Sequence, residues 1–490
     1  MKTTKYNLVV IGSGPSGQKG AIAATKLNKR VALIGQPSRS LGGVCLHTGT
    51  VPSKTMREAI LHLSDCRKRN VYGEHYRHKR RITIQELLLE ISQVTQFELG
   101  VVEDQLERNR VDIYSGEARF IGPHEVEVFQ GDDRSVIEGE NILIAVGTKP
   151  MRPTHIPFDG HCIFDSDEVL NLERIPRSMI IVGGGVIGIE YASMFATLGI
   201  HVTVVDRRER LLEFCDREIV DSLLYHARLL GIVFRLGEEV LGIDRSGDNR
   251  AVLRLESGKR LVGDNVVFCV GRAGDTTRLN LQSAGLDPDE HGRLWCNEQH
   301  QTWVPHIYAV GDVVGFPALA SVSMDQSRRA VFQAFDQPFE SCEYMPYRLF
   351  TIPEISMVGR SEEQLTSDKV PYKVSIVRGQ IVDDQTDMLK LLFHRESRKL
   401  LGVHCIGESA TEIIHIGQAI MSFGGTIDYF RDTVFNYPTL AEYYNVAAFD
   451  RLNKLGVECC LERPQVAEPM SNATEFQSSL DQATAKFVTV

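Results

Sequence analysis

A thiol and a hydroxyl five positions apart open the chemical reading of this chain. The segment Gly42-Gly43-Val44-Cys45-Leu46-His47-Thr48-Gly49-Thr50-Val51-Pro52-Ser53-Lys54 places Cys45 ahead of Thr50 and ends on an ammonium. A dithiol relay needs two sulfurs that cycle between thiol and disulfide, and threonine supplies neither a thiolate nor a disulfide partner. The segment therefore offers one thiol and no dithiol pair. The C-terminal segment Phe435-Asn436-Tyr437-Pro438-Thr439-Leu440-Ala441-Glu442 has a phenol beside its proline, and a phenol is a poor general base at neutral pH.

Two glycine-rich turns point to nucleotides. Gly12-Ser13-Gly14-Pro15-Ser16-Gly17 follows an apolar strand and opens an apolar helix, and Gly183-Gly184-Gly185-Val186-Ile187-Gly188 repeats the arrangement ahead of Glu190. In each, the first glycine permits the tight turn, the second lets backbone approach a pyrophosphate, and Gly17 or Gly188 allows the helix to pack closely on the sheet. The helix N-terminus then faces the phosphates. The strand after the first turn, Val31 to Ile34, ends in Gly35-Gln36, where an acidic residue usually binds ribose; Gln36 is left to hydrogen-bond a hydroxyl without charge assistance. The strand after the second turn, Val202 to Val205, ends in Asp206, which suits the ribose of NAD. Arg207 and Arg208 follow, and either could pair with the 2′-phosphate of NADP or, with Arg210, form a solvated face.

These residues need elements to hold them. Apolar runs at Leu8 to Ile11, Met179 to Val182 and Ile307 to Val310 each end in a glycine turn and read as buried parallel strands. Alternating strands and helices around them predict two doubly wound α/β dinucleotide-binding units. Ile82 to Asn109 carries the period of one long amphipathic helix, after a polar stretch from Arg67 to Arg81. Pro150, Pro153 and Pro157 mark a linker, and Asp336 to Tyr347 marks a second boundary. The expected division is 1–150 and 268–342 for a first nucleotide domain in two parts, 151–267 for a second, 343–461 for an α/β interface domain, and 462–490 for a mobile tail.

The 490 residues exceed what one hydrophobic core normally serves, and 43% hydrophobic with 24% charged residues is ordinary globular usage. A net charge of −10 argues against a nucleic-acid partner, and no apolar run is long enough to span a membrane. Ten scattered cysteines without framework spacing fit reduced thiols in a cytoplasmic protein. The adjacent Cys459 and Cys460 could hold a soft metal, but inert thiols are the preferred reading and no metal site is expected.

The Gly42–Lys54 segment resembles the active-site segment of the flavin disulfide reductases that bind two dinucleotides, in which two cysteines enclose four residues. Cys45 matches the first, and Thr50 stands at the second. Tyr437 replaces the histidine that this family places before Pro-Thr and a glutamate as a thiol acid/base pair. Thr351-Ile352-Pro353-Glu354 and His415 to Ile420 match as well, and the resemblance covers about residues 6 to 456.

The resemblance implies FAD as cofactor and NAD and NADP as substrates. It assigns Gly12, Gly14, Gly17, Gln36, Gly43, Cys45, Ala118, Gly147, Asp312 and Ala320 to the FAD site, with Asp312 on the ribityl chain. Gly183, Gly185, Gly188, Asp206, Arg207 and Gly271 fall to the nicotinamide dinucleotide. Lys54 and Glu190 become a pair beside the flavin, where an ammonium would stabilise negative charge arriving with hydride. It further implies homodimers or larger homo-oligomers through the last domain. Within the family the chain resembles the branch that has lost thiol chemistry and exchanges hydride, Si-specifically, from NADPH to NAD+ at one shared site in a ping-pong cycle. A thiol-independent diaphorase reducing quinones, and a non-catalytic flavoprotein sensor, remain open alternatives.

Overall fold

The computed structural model describes residues 3–35, 41–64, 83–246, 250–340, 343–379 and 387–454. Gln36, the Arg67–Arg81 stretch, the Cys459-Cys460 pair and the tail from 462 lie outside the described residues.

The chain forms the α/β architecture expected. A seven-stranded sheet runs in the order Asp112–Ser115, Val31–Gly35, Thr4–Ile11, Asp133–Ile144, Glu125–Gln130, Glu117–Phe120, and Ile307–Ala309 pairs with Asp133–Ile144 as well. Its central strands are parallel, with Val9 opposite both Ala32 and Ile142. Such strands bury both faces, which is why they read as continuous apolar runs. Val9 and Ile142 pack into one core and Val10 and Leu143 into the other.

A second, all-parallel sheet orders Val233–Leu236, His201–Asp206, Ser178–Val182, Asn265–Phe268 and Ile163–Asp165. The expected linker begins as a strand: Thr148–Pro150 pairs antiparallel with Arg272–Gly274, so the chain leaves and re-enters the first unit through one two-stranded ribbon. Arg272 ties that ribbon to the second unit, donating to the Thr148 carbonyl at 2.9 Å and to Asp167 at 2.5 Å.

The third unit is a five-stranded antiparallel sheet from Tyr347–Leu349 to Tyr372–Arg378, backed by the helices Ala410–Ser422 and Glu442–Lys454. The long amphipathic helix spans Ile84–Arg108, and a reciprocal capping box between Thr83 and Glu86 fixes its start. Among the described residues no helix is long and apolar enough to cross a membrane.

Candidate active site

Both glycine turns are built alike. Each helix that follows, Pro15–Lys26 and Val186–Thr197, has a glycine N-cap and no side chain capping it, so the first backbone N–H groups stay available to an anion. A Cβ on Gly17 would collide with the Gly12 carbonyl, and one on Gly188 with the Gly183 carbonyl. Gly12 and Gly183 sit at φ +111 and +101, close against the carbonyls of Ala145 and Cys269. A Cβ on Gly14 or Gly185, in contrast, would meet nothing within 4 Å. The open side of each turn is the side that a pyrophosphate needs.

One cavity of about 1040 Å³ joins the two turns. Its lining includes Gly12, Gly14, Gly43, Cys45, Ala118, Gly147, Gly183, Gly185, Glu190, Asp206, Arg207, Gly271, Asp312 and Ala320. Gly17 and Gly188 are absent from the lining because their work is packing the helix onto the turn. Asp312 opens a short 3-10 turn, Gly311–Val314; burial pushes its carboxyl up, with Arg272 and a Ser323 hydrogen bond opposing. The donor set suits a flavin dinucleotide: an uncapped helix start for the phosphates, an acid for the hydroxylated chain, and an apolar slot beyond.

Cys45 is a free thiol hydrogen-bonded to the side chain of Thr50. Burial pushes this thiol up, and the Thr50 hydroxyl and the Arg348 charge lower it only in part, so the sulfur stays protonated at neutral pH. A protonated thiol beside a hydroxyl makes no relay.

One placement corrects the sequence reading. Lys54 and Glu190 form no ion pair. Glu190 instead accepts the Phe350 N–H at 2.7 Å, while the exposed Lys54 turns its ammonium over the Phe350 ring, 5.0 Å from its centroid, outside the cavity lining. An ammonium on an aromatic face keeps its hydration as well as an attraction, which a desolvated carboxylate does not offer. Asp206 lines the cavity with both carboxylate oxygens already accepting hydrogen bonds. Its carboxylate accepts from the Gly184 N–H at 2.6 Å and the Arg208 N–H at 2.8 Å, and the Arg208 guanidinium grips it through Nε at 2.9 Å and Nη2 at 2.7 Å. Arg207 lines the cavity without an ion-pair partner among the described residues.

Several cavity residues escaped the sequence reading. Phe316 stacks on Tyr347 at 5.8 Å and both line the cavity, while Phe214 packs edgewise on both from outside the lining. Arg348 and Phe350 line the same space. The available signal was an arginine set among aromatics just ahead of Thr351-Ile352-Pro353-Glu354. That matched segment docks the third unit: buried Arg57 donates to the Thr351 carbonyl at 3.1 Å and pairs with Glu354 at 3.0 Å. Tyr437 is 82% exposed and outside the cavity lining of the single chain. Among the described residues no group of His, Cys, Asp and Glu could hold a metal.

Burial pushes the Glu190 carboxyl up to about 7, with the Phe350 N–H, Arg348 and Arg57 opposing. A raised carboxyl favours the neutral form, so its contribution to stability is full below about pH 4.5 and is lost as pH rises through about 7. Glu190→Gln is expected to flatten that decline by up to about 3 kcal/mol, reduced because the carboxyl opens to the cavity. Unfolding midpoints compared across that pH range check it; parallel wild-type and variant curves would refute it.

The chain matches the pyridine nucleotide-disulphide oxidoreductase family over residues 6–327 and the dimerisation domain of that family over 345–448. It is 49% identical over 460 residues to the soluble pyridine nucleotide transhydrogenase of Mycobacterium bovis, covering 92% of this chain and 98% of the relative. A protein of the same name from Colwellia psychrerythraea is 42% identical over 466 residues, 93% of this chain and 99% of the relative. Among solved structures, the HOCl-induced flavoprotein disulfide reductase RclA from Escherichia coli superposes with a TM-score of 0.80 at 27% identity, covering 91% of this chain and 99% of that one. LpdA from Mycobacterium tuberculosis superposes at 0.83 with 22% identity over 92% of this chain and 100% of that one, a likeness of fold.

Proposed function

Because the chain belongs to the pyridine nucleotide-disulphide oxidoreductase family, we propose that it transfers hydride from NADPH to NAD+ through FAD, as an Si-specific transhydrogenase using no redox disulfide. The observation that carries this reading is one cavity lined by both glycine turns, with Thr50 facing the only sulfur of the Gly42–Lys54 segment. FAD, when bound, supplies the acceptor and donor of hydride. The chain's residues do the rest. The first turn and Asp312 hold the cofactor, and the second turn, Asp206, Arg207 and Arg208 seat each nicotinamide dinucleotide in succession. Glu190 and the Phe350 backbone shape the slot between them. Hydride exchange leaves no net proton on the protein, so Tyr437 in place of a base costs nothing.

The domain limits drawn from the sequence, a cytoplasmic setting, and a homodimer through residues 343–461 belong to the same proposal. The exposed Phe423, Val434 and Tyr437 on the third unit support the dimer. The test is an anaerobic stopped-flow experiment: NADPH is expected to bleach the bound flavin, and NAD+ to restore it within the turnover time. Efficient reduction of lipoamide or glutathione instead would overturn the reading. The stacked Phe316 and Tyr347 on the cavity wall favour one second reading, a planar quinone as acceptor, which turnover with a quinone against thio-NAD distinguishes.

A further inference from the structure

Two cations approach the Phe350 ring, and only one of them faces the cavity. Arg348 lies on the strand Tyr347–Leu349, which carries the edge of the third unit to the junction with the other two. Its guanidinium packs 4.5 Å from the Phe350 centroid and lines the cavity, while Lys54, on the same ring, is exposed and does not. The Arg348 guanidinium makes no hydrogen bond or ion pair among the described residues. Two other guanidiniums of this junction are engaged: Arg57 by Glu354, Glu58 and the Thr351 carbonyl, and Arg272 by Asp167 and Thr148. A half-buried arginine without an anion is costly unless something negative arrives beside it.

We infer that Arg348 is the cation that receives the negative charge placed on the flavin ring by hydride transfer, the role that the sequence pattern suggests for Lys54. The inference rests on the reading that FAD fills the cavity with its ring between Cys45 and Glu190. A hydride brings two electrons and one proton, so the ring gains one net negative charge. An unneutralised guanidinium on a dry wall favours that charged state, and its preorganisation avoids the cost of reorienting water. The charge of Arg348 already acts on both flanking groups, lowering the Cys45 thiol and the Glu190 carboxyl against the effect of burial. All three residues line the same cavity.

The experiment is a dye-coupled equilibrium titration of the holoenzyme without any nicotinamide nucleotide. In Arg348→Gln the ratio of reduced to oxidised flavin at a fixed dye potential is expected to fall about tenfold, about 30 mV for this two-electron couple. Arg348→Lys should fall by about half that on a logarithmic scale, and Lys54→Gln should stay within about twofold of wild type. Should Arg348→Gln retain no flavin, Arg348→Lys against Lys54→Gln carries the test by the same ordering. Potentials that coincide for wild type and both Arg348 variants, or a larger shift in Lys54→Gln, overturn the inference. A potential that shifts as expected while NAD+ fails to reoxidise the flavin leaves this inference standing and removes the transhydrogenase reading instead.

Discussion

Lys390→Met is expected to destabilise the folded chain by about 3–5 kcal/mol, the usual cost of breaking a buried ion pair from one side, here leaving the buried Asp216 without its cation. Lys390 is 1% exposed on the strand Met388–His394. Its ammonium meets Glu362 at 2.5 Å, Asp216 at 3.0 Å and Glu218 at 3.3 Å. Burial alone would favour a neutral amine, but the hydrogen bonds and charges of Glu362 and Asp216 raise its pKa instead, so it stays charged.

Asp216 is fully buried and does two jobs, capping the helix Arg217–Leu229 and anchoring Lys390. The ion cluster therefore joins the helix beside the second nucleotide sheet to the third unit. Methionine fills the volume and removes the charge, which isolates the electrostatic part of the loss. Denaturation of Lys390→Met should show the loss, and adding Asp216→Asn and Glu362→Gln should recover a large share of it, since the remaining carboxylate, Glu218, keeps Arg378 as its partner. A single variant as stable as wild type would show that the carboxylates find water or another cation.

Arg208→Ala is expected to move selectivity about 10- to 100-fold toward NAD, and Asp206→Asn by a similar factor toward NADP. The reason is the mutual grip of these two residues. With Arg208 bound through both Nε and Nη2, the acid is held well below the usual carboxylate range, because those hydrogen bonds and charges outweigh burial. An acid so neutralised repels a 2′-phosphate weakly, and a guanidinium 46% exposed is free to turn toward one. Removing the arginine returns the carboxylate to ribose hydroxyls; removing the charge of the acid releases the arginine. Hydrogen bonds to charged groups contribute about 1.5–3 kcal/mol, which sets the factor. The measurement is kcat/KM for NADPH and NADH with one common acceptor. Equal changes for both nucleotides in either variant would place the discrimination elsewhere, with Arg207 the first candidate.

Sequence by itself determined the family and its two glycine-rich nucleotide turns, because that information is local. A glycine that must pass another backbone within one turn of chain, as Gly17 and Gly188 do, is written into six consecutive residues, and a missing sulfur at Thr50 needs no fold to be read. The parallel strands were legible for the same reason, since burial on both faces leaves an unbroken apolar run. Which charges meet was decided only by tertiary structure. Glu190 and Phe350 are 160 positions apart, and Lys390 and Asp216 are 174 apart. The Asp206 carboxylate accepts from Arg208 two positions on and from the Gly184 N–H 22 positions back, a meeting that only the folded glycine turn brings about. Spacing along a chain fixes what the backbone can do, whereas the direction and neutralisation of a long charged side chain depend on which distant surfaces close around it.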